Sequence, residues 1–136
     1  MSASPPRRPV LPQRQIGQHD CGFVCLSIVL EALGSPVPPA ELVKLGGGMG
    51  GPVAASTLVR LAELLGFTAK GYFGGTSDLK RLLMPGILHW KDGHFVVFDR
   101  YDNGRFLIAN PSVGYLLWYT ESEVTQAFSG TIIVVY

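Results

Sequence analysis

Charge is scarce in this sequence, and so is cysteine. Of 136 residues only 15% are charged, against the roughly 25% usual for soluble domains, which leaves apolar surface free to meet a partner. The balance of 11 Lys+Arg against 10 Asp+Glu gives a formal net charge of +1. That supplies no long-range field for nucleic acid or anionic lipid, so no nucleic-acid partner is expected. Cys21 and Cys25 are the two cysteines. So close a pair makes no secreted disulfide framework, and points to a reducing, cytosolic setting. The longest apolar run without a charge, Cys21 to Leu30, falls far short of the ~20 residues that span a bilayer. Met1 to Gln13 holds two Arg and four Pro without an apolar core, so it does not read as a signal peptide. Internal repeats are absent, and no G-K-[ST] occurs to mark a P-loop. What remains is the length of one ordinary domain, enough to bury a core without disulfides or a structural metal.

Residues 1–13, rich in Ser, Pro and Arg, read as a flexible arm, with a single domain over 14–136. Cys21 to Leu33 carries only Ser27 and Glu31 as polar residues before Gly34. This predicts a helix buried nearly all round, with Asp20 as its N-cap. Shorter helices are expected at about Ala40–Leu45, Ala54–Leu65 and Asp78–Leu83, the second closed by Gly66. From there the period changes. Gly86–Trp90, Phe95–Arg100, Arg105–Ala109, Tyr115–Tyr119 and Thr131–Tyr136 are short aliphatic and aromatic runs separated by turn signals, among them Lys91-Asp92-Gly93 and Asp102-Asn103-Gly104. Short spacings favour antiparallel pairing. The expected class is α+β, an N-terminal helical half whose buried central helix packs on a C-terminal antiparallel sheet.

The strongest local signal is Q-I-G-Q-H-D-C-G, Gln15 to Gly22, opening the buried helix. A cysteine in the first turn of a helix feels unpaired N–H groups and the positive end of the macrodipole, which should lower its pKa from about 8.5. A thiolate also needs an acid–base partner to protonate the leaving amine. His94 follows a Gly turn and starts the apolar strand H-F-V-V-F, where a side chain points readily into a cleft. Asn110 ends the next strand and is placed to orient the imidazole if the two strands form a hairpin. The bland alternative for Cys21 is a buried, inert helix cysteine.

These motifs resemble those of the bacteriocin-processing double-glycine leader peptidase family, papain-like cysteine peptidases found as N-terminal domains of peptide-exporting ABC transporters. The family places a Gln six residues before Asp-Cys-Gly, matched here by Gln15 and Asp20-Cys21-Gly22. Pro85-Gly86-Ile87, His94-Phe95-Val96-Val97 and Asn110-Pro111-Ser112-Val113-Gly114 follow in the family's order. So do a helix at Glu121–Phe128 and a strand at Gly130–Val135, and the likeness spans about residues 13–136.

The resemblance implies Cys21 as nucleophile, His94 as general base and acid, and Gln15 as the side-chain donor to the oxyanion. Losing one such donor costs on the order of 10²–10³ in rate. Gln13 and Gln18 are rival amides without the family spacing. Asn110 departs from the family's usual Asp. An amide oxygen still accepts from an imidazolium, as the Cys-His-Asn arrangement of papain-like enzymes illustrates, but it brings no negative charge. Asn110→Asp should therefore change leader cleavage only modestly; a rise from nothing to efficient turnover would overturn that expectation.

The resemblance further implies cleavage after a Gly-Gly or Gly-Ala pair in a bacteriocin-like precursor, coupled to export by an ABC transporter at the cytoplasmic face of the inner membrane. The precursor would dock its leader as an amphipathic helix, with Trp90, Tyr72 and Phe73 as candidate channel or groove walls. No cofactor is expected for the peptidase itself, ATP belonging to transporter domains outside this chain, and the isolated domain is expected to be a monomer. The rival from another class is a catalytically weak or inactive leader-binding module; a papain-like acyl transferase or amidase would share the same site residues.

Other signals are weaker. Cys25, one helical turn from Cys21, reads as packing rather than a redox pair. Cys21, Cys25, His89 and His94 have the wrong spacing for a compact zinc motif. His19 reads as an exposed loop residue and His89 as a strand residue. Gly46, Gly48 and Gly51 match G-x-G-x-x-G without its strand–turn–helix setting, and fit a flexible loop better than a dinucleotide site.

Overall fold

The computed structural model describes residues 9–15, 17, 20–47 and 53–136. Its N-terminal half is helical: α1 (Cys21–Ala32), α2 (Pro39–Leu45) and α3 (Ala55–Leu64). β1 (Ala69–Phe73) and the single turn α4 (Thr76–Leu79) follow. The rest is β2 (Gly86–Trp90), β3 (Phe95–Asp102), β4 (Arg105–Asn110), β5 (Tyr115–Thr120), α5 (Glu121–Ala127) and β6 (Phe128–Val135). The six strands form one sheet in the order β1-β6-β2-β3-β4-β5, with every neighbouring pair antiparallel.

α1 is the anchor. All its residues but Glu31 are buried, and Leu26, Ile28 and Leu30 are fully so. Each such side chain contributes roughly 1.5–3 kcal/mol, so the core fixes where the helix begins. Its far end closes in a Schellman motif: Ser35 N–H donates to Leu30 O and Gly34 N–H to Glu31 O, both at 2.9 Å, with Gly34 at φ +83°. The start differs from expectation. Asp20 precedes the helix at φ −98°, ψ 4°, and its side chain makes no capping bond. Only its carbonyl joins in, accepting from Val24 N–H at 2.9 Å.

Two cores lie on the two faces of the sheet. Ile87, Phe95, Val97, Ala109, Ile133 and Val135 face α1–α3. Leu88, Val96, Phe98, Phe106, Ile108 and Val134 face the other way, with Leu79 of α4 and Val124 of α5. α5 is set by a reciprocal capping box, Thr120 N–H to Glu123 Oε1 at 2.8 Å and Glu123 N–H to Thr120 Oγ1 at 3.2 Å.

Two expectations need correction. β1 was not foreseen, because only Ala69 of its five residues is buried and it pairs at the sheet's edge. The packed fold also starts inside the expected arm. Val10 is 2% exposed in the α1 core, and Gln13 Nε2 donates to Ser27 Oγ of α1 at 3.2 Å. An apolar anchor and a bond to a core serine hold that stretch against the domain.

Candidate active site

Cys21 opens α1 directly against the start of β3. The backbone N–H groups of Phe95 and Gly22 lie near enough to its sulfur to favour the thiolate. The approach is close because residue 22 has no side chain: a Cβ there would collide with Val53 Cγ1 and lie 3.3 Å from both Leu58 Cδ1 and Phe95 Cδ2. Gly22 is thus the contact that lets the helix start seat on the sheet, which gives the Asp-Cys-Gly motif a packing reason.

His94 precedes Phe95 at the end of a tight hairpin. Trp90 N–H donates to His94 O at 2.8 Å and Gly93 N–H to Trp90 O at 3.0 Å. The imidazole Nδ1 lies 3.1 Å from Asp92 Oδ1, and the same oxygen accepts the His94 backbone N–H at 3.0 Å. Asn110 sits at the same end of the sheet, but its amide is engaged elsewhere. Nδ2 donates to the Tyr119 hydroxyl at 3.1 Å and Oδ1 accepts from Ser112 N–H at 3.0 Å. Gln15 is tied to that turn by its own N–H, which donates to Pro111 O at 2.9 Å. Its Nε2 donates to Gly17 O at 2.8 Å, and its Oε1 accepts from Ser112 Oγ at 3.4 Å. The rival Gln13 is committed to Ser27; Gln18 and His19 lie outside the described residues.

The thiol's acidity runs opposite to the expectation from a helix start. Burial pushes the Cys21 pKa up; the N–H groups of Phe95 and Gly22 pull it down, and Asp20 beside it adds to the rise. Dehydration outweighs the pull of these N–H groups. Cys25 is buried completely, and burial raises its pKa well above the ordinary value, with Cys21 adding to the shift. The fold therefore keeps protons that the unfolded chain releases above about pH 8.5, so stability is intact below that pH and falls as pH rises further. Thermal melts should show Tm declining above about pH 9, with a shallower decline in Cys25→Ala. An equal slope in the variant would assign the decline to other groups.

The proposed groove walls separate. Tyr72 and Phe73, 52% and 81% exposed, line a cavity of about 430 Å³ with Leu82, Met84, Ile132 and Val134. It opens on the α4 side of the sheet, across from the face that α1 covers. Trp90 is 7% exposed and packs edge-on to Tyr119 in the core of that same side, so it supports the sheet rather than walling a groove. His89 Nδ1 lies 2.9 Å from Ser129 Oγ, and its ring stands edge-on to Phe95 at 5.0 Å. Among the described residues no cluster of three or more His, Cys, Asp or Glu could hold a metal ion. The G-x-G-x-x-G match falls mostly on residues 48–51, outside the described residues. No described helix is long and apolar enough to cross a membrane.

Sequence reasoning missed Asp92, read there only as part of a turn. The signal was its place two residues before His94, where an Asp oxygen reaches the N–H of residue i+2.

A core helix seated on a six-stranded antiparallel sheet is the papain-like α+β arrangement. The chain belongs to the Peptidase C39 family, whose model matches residues 11–136. It is similar to the double glycine motif protease of an AMS/PCAT transporter, solved in complex with the leader peptide, with TM-score 0.87 and 26% identity over 95% of this chain and 92% of that one. It is 26% identical over 133 residues to the colicin V secretion/processing ATP-binding protein CvaB of Escherichia coli, covering 96% of this chain and 18% of that protein. The chain thus spans under a fifth of the length of that curated relative. An uncharacterized protein of Methanothermobacter marburgensis is 27% identical over 122 residues, which are 90% of this chain and 85% of that protein.

Proposed function

We propose that this chain is a cysteine endopeptidase that removes the leader from a ribosomally made precursor peptide, cutting after a Gly-Gly or Gly-Ala pair. The observation that carries the reading is the start of α1, at Cys21 and Gly22, packed on Phe95 at the start of β3, with His94 one residue before it. The seating of the start of α1 on Phe95 supports pairing Cys21 with His94, the residue just before that strand. Membership of the Peptidase C39 family and the likeness to a double glycine motif protease support the same reaction.

His94 acts first as a base, taking the Cys21 thiol proton as sulfur attacks the scissile carbonyl. The C–N bond then breaks, and the same proton passes from the imidazole to the leaving amine. Water, deprotonated by His94, attacks the thioester and frees the leader's carboxylate and the thiol. The Cys21 N–H and the second N–H of the Gln15 amide are the groups for the oxyanion. No step uses a cofactor. The apolar cavity beside Tyr72 and Phe73 supports docking of an amphipathic leader helix. The setting we propose is the cytoplasm, beside the membrane-spanning and ATP-binding domains of an ABC exporter, with the isolated domain a monomer. A non-catalytic leader-binding module is the second reading, favoured by the engagement of Asn110 with Tyr119 and Ser112. Incubation with a double-glycine precursor, with Cys21→Ala as control, separates the two.

A further inference from the structure

One end of the sheet carries a row of residues that runs from the apolar cavity to the start of α1. The strand register aligns Phe73 of β1 with Thr131 of β6, and His89 of β2 with Phe95 of β3. Between the pairs Leu88–Ile132 and Trp90–Phe128 the register shifts, so His89 alone on β2 faces Ser129, Gly130 and Thr131 of β6. This bulge turns Ser129 toward His89, whose Nδ1 lies 2.9 Å from its Oγ. Gly130, at φ +106°, lies under the Phe73 ring, and a Cβ there would sit 2.8 Å from it. On the other side the His89 ring stands edge-on to Phe95 at 5.0 Å. Phe95 in turn touches the nucleophile's surroundings: its Cδ2 lies 3.3 Å from where a Cβ of residue 22 would be, and its N–H favours the Cys21 thiolate. We propose that the His89–Ser129 pair is the specificity-determining element of the peptidase, barring a side chain from the substrate residue second before the cut. This rests on the peptidase reading of Cys21 and on docking of the leader at the Tyr72–Phe73 cavity.

The leader lies on the N-terminal side of the cut. Anchored at the β1–β6 edge, it has to cross β6 and β2 to bring the scissile carbonyl to Cys21, at the α1 start seated on β3. The residue just before the cut stands over the sulfur. An extended chain advances about 3.3 Å per residue and neighbouring strands lie about 4.8 Å apart, so the next residue toward the leader passes over β2, where His89 stands. The pair leaves no slack there. His89 is wedged between the Ser129 hydroxyl and the Phe95 ring, and Ser129 Oγ also accepts from Thr131 N–H at 3.4 Å. Both residues are half-buried, so a passing chain meets them at the surface of the sheet. Glycine brings its backbone against such a wall, whereas any Cβ holds it off. A hydrogen-bonded imidazole also gives a methyl group no apolar burial in return.

Two precursors that differ only at that position, one with Gly-Gly before the cut and one with Ala-Gly, read the role of the pair. Wild type should favour Gly-Gly in kcat/KM by roughly 10–200-fold, the range for one carbon in a close-fitting site. His89→Ala should reduce that preference to about threefold or less. Ser129→Ala, which frees the ring without removing it, should lower it in the same direction by a smaller factor, and decides the matter if His89→Ala does not fold. A merely structural role would slow both precursors equally and keep their ratio. A ratio unchanged in the folded variants overturns the proposal, as does a wild type without preference between the two. A wild-type chain that cuts neither precursor counts against the peptidase reading. Calorimetric titration of the two leader peptides into wild type and the variants then still decides the role of the pair: a Gly-Gly preference lost in the variants supports it, and one that persists overturns it.

Discussion

Cys21→Ala is expected to abolish leader cleavage while leaving the fold and leader binding intact. In the proposed mechanism the sulfur is the atom that forms the covalent bond. Cys25 lies on the same helix but is fully buried, with no route to a carbonyl. Removing the nucleophile from a catalytic unit costs on the order of 10⁶ in kcat, which takes turnover below detection. Stability should change little. The alanine keeps the Cβ at a site with 6% exposure, and the deletion removes a single sulfur from the α1 end of the core. The readouts are mass spectrometry of the cleaved precursor and calorimetric titration with the intact one. Cleavage by the variant sinks the thiol mechanism. Equal binding by both proteins, with no cleavage by either, favours the non-catalytic module.

The parts of the fold legible in the sequence were those whose burial comes from local pattern. α1 announced itself because an apolar run ended at Gly34, and β2–β5 because aliphatic runs alternated with Asp-Gly and Asn-Gly turns. β1 did not, since Lys70, Gly71, Tyr72 and Phe73 are all exposed and its pairing depends on β6, the last strand of the chain. At the site, the motif order marked Cys21 at the start of α1 and His94 just before β3. Two things lay beyond it. The sign of the thiol shift depends on how thoroughly the core dehydrates the sulfur, which a helix-dipole argument leaves out. The contact of His94 with Asp92 was hidden by proximity, because Asp92 was one letter of a turn signal.

Gly22→Val is expected to damage stability and catalysis together, because Gly22 is where the fold and the site share an atom-scale contact. The new Cβ would collide with Val53 Cγ1 and press on Leu58 Cδ1 and Phe95 Cδ2, and the Cγ methyls extend further into the same packed space. Overpacking of this kind costs about 1–3 kcal/mol, a Tm fall of roughly 5–15 °C for a domain of this size. With Leu26, Ile28 and Leu30 holding the rest of the helix in place, relief shifts the Val53 segment before α3 and lifts the start of α1 from Phe95. Lifting it draws Cys21 away from the Phe95 N–H and from His94. Displacements near 1 Å cost about 10²-fold in rate, so kcat measured well below the lowered Tm should fall by that order in the folded variant. A variant that melts early yet cleaves at the wild-type rate when folded would show that the α1–β3 contact sets stability alone. Unchanged melting and unchanged cleavage would mean that α1 does not seat on Val53 and Phe95 through residue 22.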